Sequence, residues 1–297
     1  MDCSGPILGL SACRPVSLFM SFSLSIFASG SRGNALLVNT GDARILIDCG
    51  LGVRTLVPLL QSAGVHLKDL NAILITHEHT DHVRGLERVL NHTHAALYAT
   101  EGTLAAIDHV IPARTTTCAV NSEAFEIGNA VIRAIPIPHD AAEPVSYQLV
   151  FDHHRLLVAT DLGKVTRELA GALRDSTVAV FESNHDEEML ANGSYPEFLK
   201  ERIRSNTGHL SNRQCATALK ACRESELRTV ILAHLSDENN EPPLARASAE
   251  AVLDPDACSL FVTRQGAVGP HLNFDSHHHT KGQPTCEPWS LFPSRSS

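Results

Sequence analysis

The sequence predicts a layered α/β fold. Short β-rich runs alternate with amphipathic helical segments, and each run stops at a residue of a metal-binding type. The runs read ARILID to Asp48, AILITH to His77, VIRAIPIPH to His139, RLLVATD to Asp161, VAVFES with His185 just beyond, and TVILAH to His234. Strands of one sheet that deliver His or Asp at a common edge would gather them into a single cleft, as open α/β sheets do at their strand ends.

Taken in chain order, residues 1–19 show neither periodicity nor helix caps, and the first alternating segment is SFSLSIFASG, directly after Met20. Residues 1–19 are therefore expected to be an extension outside the fold. Their apolar stretch does not read as a secretion signal, because Asp2 stands where positive charge is expected and Arg14 interrupts the run. Turn residues in NTGDAR, EIGNAV and FDHHRL predict hairpins, the last placing His153 and His154 at a solvated tip. Helices are expected at VRTLVPLLQSAG, closed by Gly64, at RGLERVL, and most clearly at SNRQCATALKACRES. In the last, Ser211 and Gln214 form a capping box, and Cys215, Ala218, Leu219 and Cys222 make an apolar stripe. No repeat or proline-rich linker divides residues 20–274, which read as one domain, and residues 275–297, rich in Ser, Pro and His, read as a disordered tail.

With 43% hydrophobic and 19% charged residues, the chain has the composition of a globular protein with no membrane partner. Its formal charge of −9 offers no global attraction for polyanions, so a nucleic-acid substrate would have to be attracted locally. Eight cysteines without a C-x-x-C pair argue against a zinc ribbon and a disulfide scaffold and fit a reduced cytoplasm. Nothing in the sequence sets the number of subunits.

The stretch ILITHEHTDH packs three histidines and two acids into its last six positions. Neutral imidazoles and carboxylates crowded in this way desolvate or repel one another unless a cation sits between them. His77 and His79 can face one position, while Asp81 and His82 can turn toward a neighbouring one, so the cluster can serve two metals.

The pattern H-x-H-x-D-H resembles the signature of the metallo-β-lactamase fold, an αββα sandwich whose members are mostly two-metal hydrolases. The resemblance extends over about residues 20–274 with motifs in the family's order. It implies that His77, His79 and His139 hold one divalent ion and Asp81, His82 and His234 a second, with Asp161 spanning both and Asp48 orienting ligands from behind. Zinc is favoured by ligand softness, with manganese the alternative in a nuclease. FASGSRGN, THEHTDHVRGL, PIPHDAAEPV, ATDLG, ESNHDEEML, GHLSN and AHLSDENNEP are together similar to the YycJ (WalJ) group of bacterial metallohydrolases, relatives of RNase Z regarded as DNA exonucleases. GHLSN is also similar to an RNase Z segment whose histidine assists phosphodiester cleavage, which gives His209 a catalytic role beside Asp48 and Asp81. The expected function is thus a metal-dependent phosphodiesterase, a 5′ to 3′ DNA exonuclease. The alternative is a small-ester hydrolase of the glyoxalase II or β-lactamase type, which the same dinuclear site permits. The long exosite arm of RNase Z has no counterpart here.

Substrate-binding candidates are Arg32, in the glycine-flanked SGSRGN loop that suits anions, Lys164 just past Asp161, and His185. Arg84 follows the ligand motif, and Lys200, Arg202 and Arg204 add a small basic cluster that could track a strand. Asp140 is evenly divided between a site hydrogen bond and a surface acid. His66, His92, His94 and His109 have no partner spacing and read as surface residues, and Glu78 is assigned nothing.

Overall fold

A computed structural model describes residues 22–274 and 284–287. The proposed extension at 1–19 lies outside them. The chain forms β1 (Phe22–Ala28), β2 (Ala35–Asn39), β3 (Arg44–Ile47), β4 (Ala72–Leu74), β5 (Ala96–Ala99) and β6 (Thr117–Ala119), then β7 (Phe125–Ile127), β8 (Ala130–Pro136), β9 (Val145–Phe151), β10 (His154–Ala159), β11 (Val178–Glu182), β12 (Thr229–Ala233) and β13 (Ser259–Val262), and finally β14 (His271–Phe274) and β15 (Thr285–Glu287). Two sheets result, ordered β15-β14-β1-β2-β3-β4-β5-β6 and β13-β12-β11-β10-β9-β8-β7.

Side-chain alternation explains the layering. On β10, Leu156 and Val158 enter the core between the sheets, whereas Leu157 and Ala159 face helices on the outside. On β3, Ile45 and Ile47 point inward and Leu46 outward. The helix Val53–Ser62 buries Leu56, Leu59 and Leu60 against the first sheet, and Asn212–Lys220 buries Cys215 and Leu219 against the second. The order is helices, sheet, sheet, helices, as the αββα expectation requires. The Ser211/Gln214 capping box is present, and Gly64 closes the first helix with φ +72°.

The expectation of one sheet is corrected: Asp48 and His77 follow β3 and β4 of the first sheet, and His139, Asp161 and His234 follow β8, β10 and β12 of the second. β3 pairs parallel to β4, and β10, β11 and β12 run parallel, so their carboxyl ends share an edge. Three further readings change. The expected disorder of 275–297 fails at Thr285–Glu287, which pair with His271–Asn273 as an antiparallel strand. His154 is buried, not a solvated turn tip, because its ring packs beside Phe22, Phe151 and Phe274 at centroid distances of 5.1, 5.8 and 5.9 Å. The basic cluster is neutralised: Lys200 is buried with its ammonium donating to the Ala191 carbonyl, Arg202 pairs with Asp140, and Arg204 with Glu197. Among the described residues no helix is long and apolar enough to cross a membrane.

Candidate metal centre

Where the two sheets meet at this edge, the His, Asp and Glu side chains form one cluster. Potential ligand atoms of His77, His79 and His139 lie within 4.8 Å of one another, as do those of Asp81, His82 and His234, while Asp161 shares a third group with His77 and His82. Asp48, Asp161 and His234 sit just past their strands with φ of 58°, 61° and 56°. For non-glycine residues this left-handed backbone costs roughly 1–2 kcal/mol each. Such strain persists where surrounding structure enforces it, and here it turns three strand ends into the cluster.

The imidazoles share a consistent arrangement, in which one nitrogen faces an outer acceptor and the other faces inward. His82 Nδ1 lies 2.8 Å from Asp48 Oδ2, His234 Nδ1 3.1 Å from Glu182 Oε1, His139 Nδ1 3.3 Å from the Gly208 carbonyl, and His79 Nε2 3.1 Å from the Asp140 carbonyl. Asp48 is itself held by the Thr76 amide at 2.9 Å and the Thr76 hydroxyl at 3.0 Å. Such outer hydrogen bonds fix each tautomer so that the inner nitrogen is a lone pair. Among the described residues, Nε2 of His77, His139 and His234 and Oδ2 of Asp161 are buried without a hydrogen-bond partner. Buried polar atoms are normally satisfied, so a set of unpartnered nitrogens and a carboxylate oxygen converging on one place fits divalent cations.

Electrostatics agree. Burial, reinforced by neighbouring His82, holds His77 far below the usual imidazole range. Burial opposes charge on His82 and His234 too, but Asp48 and Asp161 beside the first, and Asp161, Asp81 and Glu182 beside the second, override it, and His234 rises to about 10. Burial would raise Asp161, yet His234 and His82 pull it well below the carboxylate range. In the metal-free protein, protons on histidines thus occupy the place that cations would take.

Glu182 was not singled out by sequence. The last residue of β11, it is fully buried and accepts from Nδ1 of both His209 and His234 with Oε1, and from the Leu162 and Leu210 amides with Oε2. Burial would raise its pKa, but the two histidines hold it down to about 2. The only hint was an acid ending a wholly apolar run, and His185 on the same segment drew the attention instead. His209 lies 2.8 Å from Glu182 and 3.7 Å from Asp161, its ring 22% exposed at the mouth. Asn34 was also missed; its amide nitrogen lies 3.0 Å from His82 Nε2 and 3.1 Å from Asp81 Oδ2.

The substrate-facing candidates fare unevenly. Arg32 is exposed on the rim and pairs with Asp237 at 2.5 Å, and Lys164 is exposed just past Asp161. His185 is corrected: it is 2% exposed, bridges Ser211 through its backbone, and is held by burial at a pKa of about 4, so it presents no surface to substrate. Arg84 is also structural, bonding the Arg32 and Gly50 carbonyls. Asp140 proves to be a site neighbour, its Oδ1 3.4 Å from His139 Nε2. Glu78 accepts from the Ala142 amide at 2.7 Å, while His66, His92, His94 and His109 are exposed, as read.

A helix-flanked double sheet with His and Asp donors at one edge defines the class, and a family model described as "Beta-lactamase superfamily domain" matches residues 43–235. The chain belongs to that superfamily. Within it, the chain is 36% identical over 238 residues to "Exodeoxyribonuclease YycJ" of Bacillus anthracis, covering 79% of this chain and 90% of that one. It is 35% identical to "Exodeoxyribonuclease WalJ" of Streptococcus pneumoniae strain D39 over 76% of this chain and 86% of that one. The metallo-β-lactamase fold protein YhfI of Bacillus subtilis superposes with a TM-score of 0.66 at 15% identity, over 83% of this chain and 98% of the other. The superfamily and the His/Asp cluster together imply divalent metal ions.

Proposed function

We propose that this chain is a metal-dependent phosphodiesterase acting on nucleic acid, a DNA exonuclease of 5′ to 3′ polarity. The carrying observation is the pair of donor sets, His77/His79/His139 and Asp81/His82/His234, with Asp161 between them. Its support is the name exodeoxyribonuclease borne by relatives that align over most of both chains. The two sets suit two divalent ions, with zinc favoured for His/Asp donors and manganese accepted. When bound, such ions neutralise phosphate charge and activate water.

The protein's own residues supply geometry and proton handling. Asp48 holds the His82 ring and Glu182 the His234 ring, so that each would turn its other nitrogen inward toward a bound cation. His209 stands at the exposed mouth with Nδ1 held by Glu182, which leaves Nε2 to carry the proton that a departing 3′ oxygen needs. Asp81 and Asp161 each bring a carboxylate oxygen close to His82 Nε2, at 3.4 and 3.2 Å. Arg32, on the rim, is placed to meet a backbone phosphate by exchanging its Asp237 partner. All six described cysteines are free, which fits a reducing, cytoplasmic setting.

An end-labelled duplex incubated with the protein and Mn or Zn is expected to lose nucleotides from its 5′ end, and His82→Ala to abolish this while circular dichroism stays native. Undiminished cleavage by His82→Ala removes the proposal.

A further inference from the structure

The segment Gly193–Arg204 is fastened beside both donor sets. At its start, Gly193 lies close against the Asn239 side chain, Ser194 Oγ is 3.4 Å from Glu238 Oε2, and the Tyr195 hydroxyl meets the side chain of Ser236, two residues past His234. At its end, Arg202 grips the Asp140 carboxylate at 2.6 Å, and Asp140 directly follows His139 and accepts from His79 through its carbonyl. Between these anchors stands Phe198, 72% exposed, the most exposed large apolar side chain among the described residues. Phe198 and Arg202 are four apart on the helix Glu197–Arg204 and so are neighbours on one face, about 5–6 Å apart at Cβ. Tyr195, just before the helix, is half-buried, with its hydroxyl on the Ser236 side chain. The helix is fixed from below by buried Lys200 on the Ala191 carbonyl and by the His209 amide on the Ile203 carbonyl at 2.9 Å. Packing gives no reason for the phenyl group on EFLKERIR, a helix otherwise dominated by charges.

We propose that Phe198, flanked by Tyr195 and Arg202, is a ledge on which the nucleobase beside the scissile phosphate stacks, so that the enzyme engages the end of its substrate as an unpaired single strand. This rests on the phosphodiesterase reading and adds a substrate class to it. A ring face stacks on any base, which suits a nuclease that must advance through every sequence. In a chain of net charge −9, a stacking surface adds affinity for a strand without calling on a free cation.

Two measurements test the ledge. In the first, KM is compared for an oligothymidylate and for an abasic oligonucleotide of equal length. Phe198→Ala is expected to raise KM for the first roughly tenfold, with Phe198→Trp restoring it and the abasic substrate changing less than twofold. Equal losses on both substrates, or none on either, overturn the proposal. The second needs no turnover. In the metal-free protein carrying Trp289→Phe, which removes the only tryptophan, Phe198→Trp fluorescence is expected to be quenched by oligothymidylate and not by the abasic strand. Quenching by neither overturns the ledge even if cleavage persists, whereas quenching with no cleavage of any substrate faults the phosphodiesterase reading alone. A sedimentation shift to monomer in Phe198→Ala also overturns it, since Phe198 would then be a contact between copies of the chain.

Discussion

Replacing Glu182 by glutamine keeps the side-chain shape and removes its charge. In the native protein Oε1 accepts from Nδ1 of His209 at 2.8 Å and of His234 at 3.1 Å, and Oε2 from the Leu162 and Leu210 amides at 2.7 and 3.1 Å. An amide has one oxygen, so its NH2 must face one of these donor pairs. Two buried donors then lose their acceptor at about 1–3 kcal/mol each, or about 2–6 kcal/mol together, a large part of the roughly 5–15 kcal/mol that holds an ordinary domain folded. If the backbone amides keep the oxygen, His234 loses the acceptor that fixes its tautomer, and metal affinity should fall about 10–100-fold. Denaturant unfolding of chelator-treated protein isolates the hydrogen-bond loss, and competition with a metal-binding dye reads the affinity. A Glu182→Gln protein within about 0.5 kcal/mol of wild type, with unchanged metal affinity, refutes the reasoning.

Gly50→Ala should empty the site without touching a donor: a Cβ there would lie 1.7 Å from the Asp81 carbonyl oxygen and 2.6 Å from the Asn34 nitrogen. Elemental analysis should find less than half the native metal in the soluble variant, and full occupancy would contradict the close approach. His154 supplies an acid-sensitive element far from the cluster, because burial and then His153 hold its pKa near 4 while the unfolded ring titrates near 6.5. The unfolded chain binds the extra proton in that window, so the contribution is whole above pH 6.5 and fades as the pH falls to 4. It amounts to about 2 kcal/mol after discounting for the ring's partial access to solvent. His154→Phe should lose that much less stability than wild type between pH 7.5 and 4.5 in urea unfolding, and parallel losses in both proteins would count against it.

The strand-end residues could be read from the sequence because each closes an apolar run, and a polar side chain tolerated there has a reason to face inward. Glu182 escaped because its segment offered two candidates, and sequence spacing does not tell which side of a strand end turns to the cleft. The chain turns after Glu182, carrying His185 to Ser211 and leaving the glutamate inside. His154 was misjudged for a different reason: FDHHRL is a sound hairpin, but Phe22 and Phe274, far away in sequence, roof the turn. Lys200 shows the same limit, since a helix of mixed charges does not disclose which cation reaches back to a carbonyl. That donors come from two sheets was invisible to local pattern, because β3 and β10 read alike.

This division has a consequence for how the protein matures. Each donor triad takes two members from the segment after β4 of the first sheet and its third from a strand end of the second: His139, after β8, completes one, and His234, after β12, the other. A nascent chain that has made only β1–β6 can offer cations no more than bidentate, easily exchanged sites. If these triads hold the ions, tight loading would have to wait for the second sheet's strands to dock, and ion retention would gauge whether the two sheets have closed.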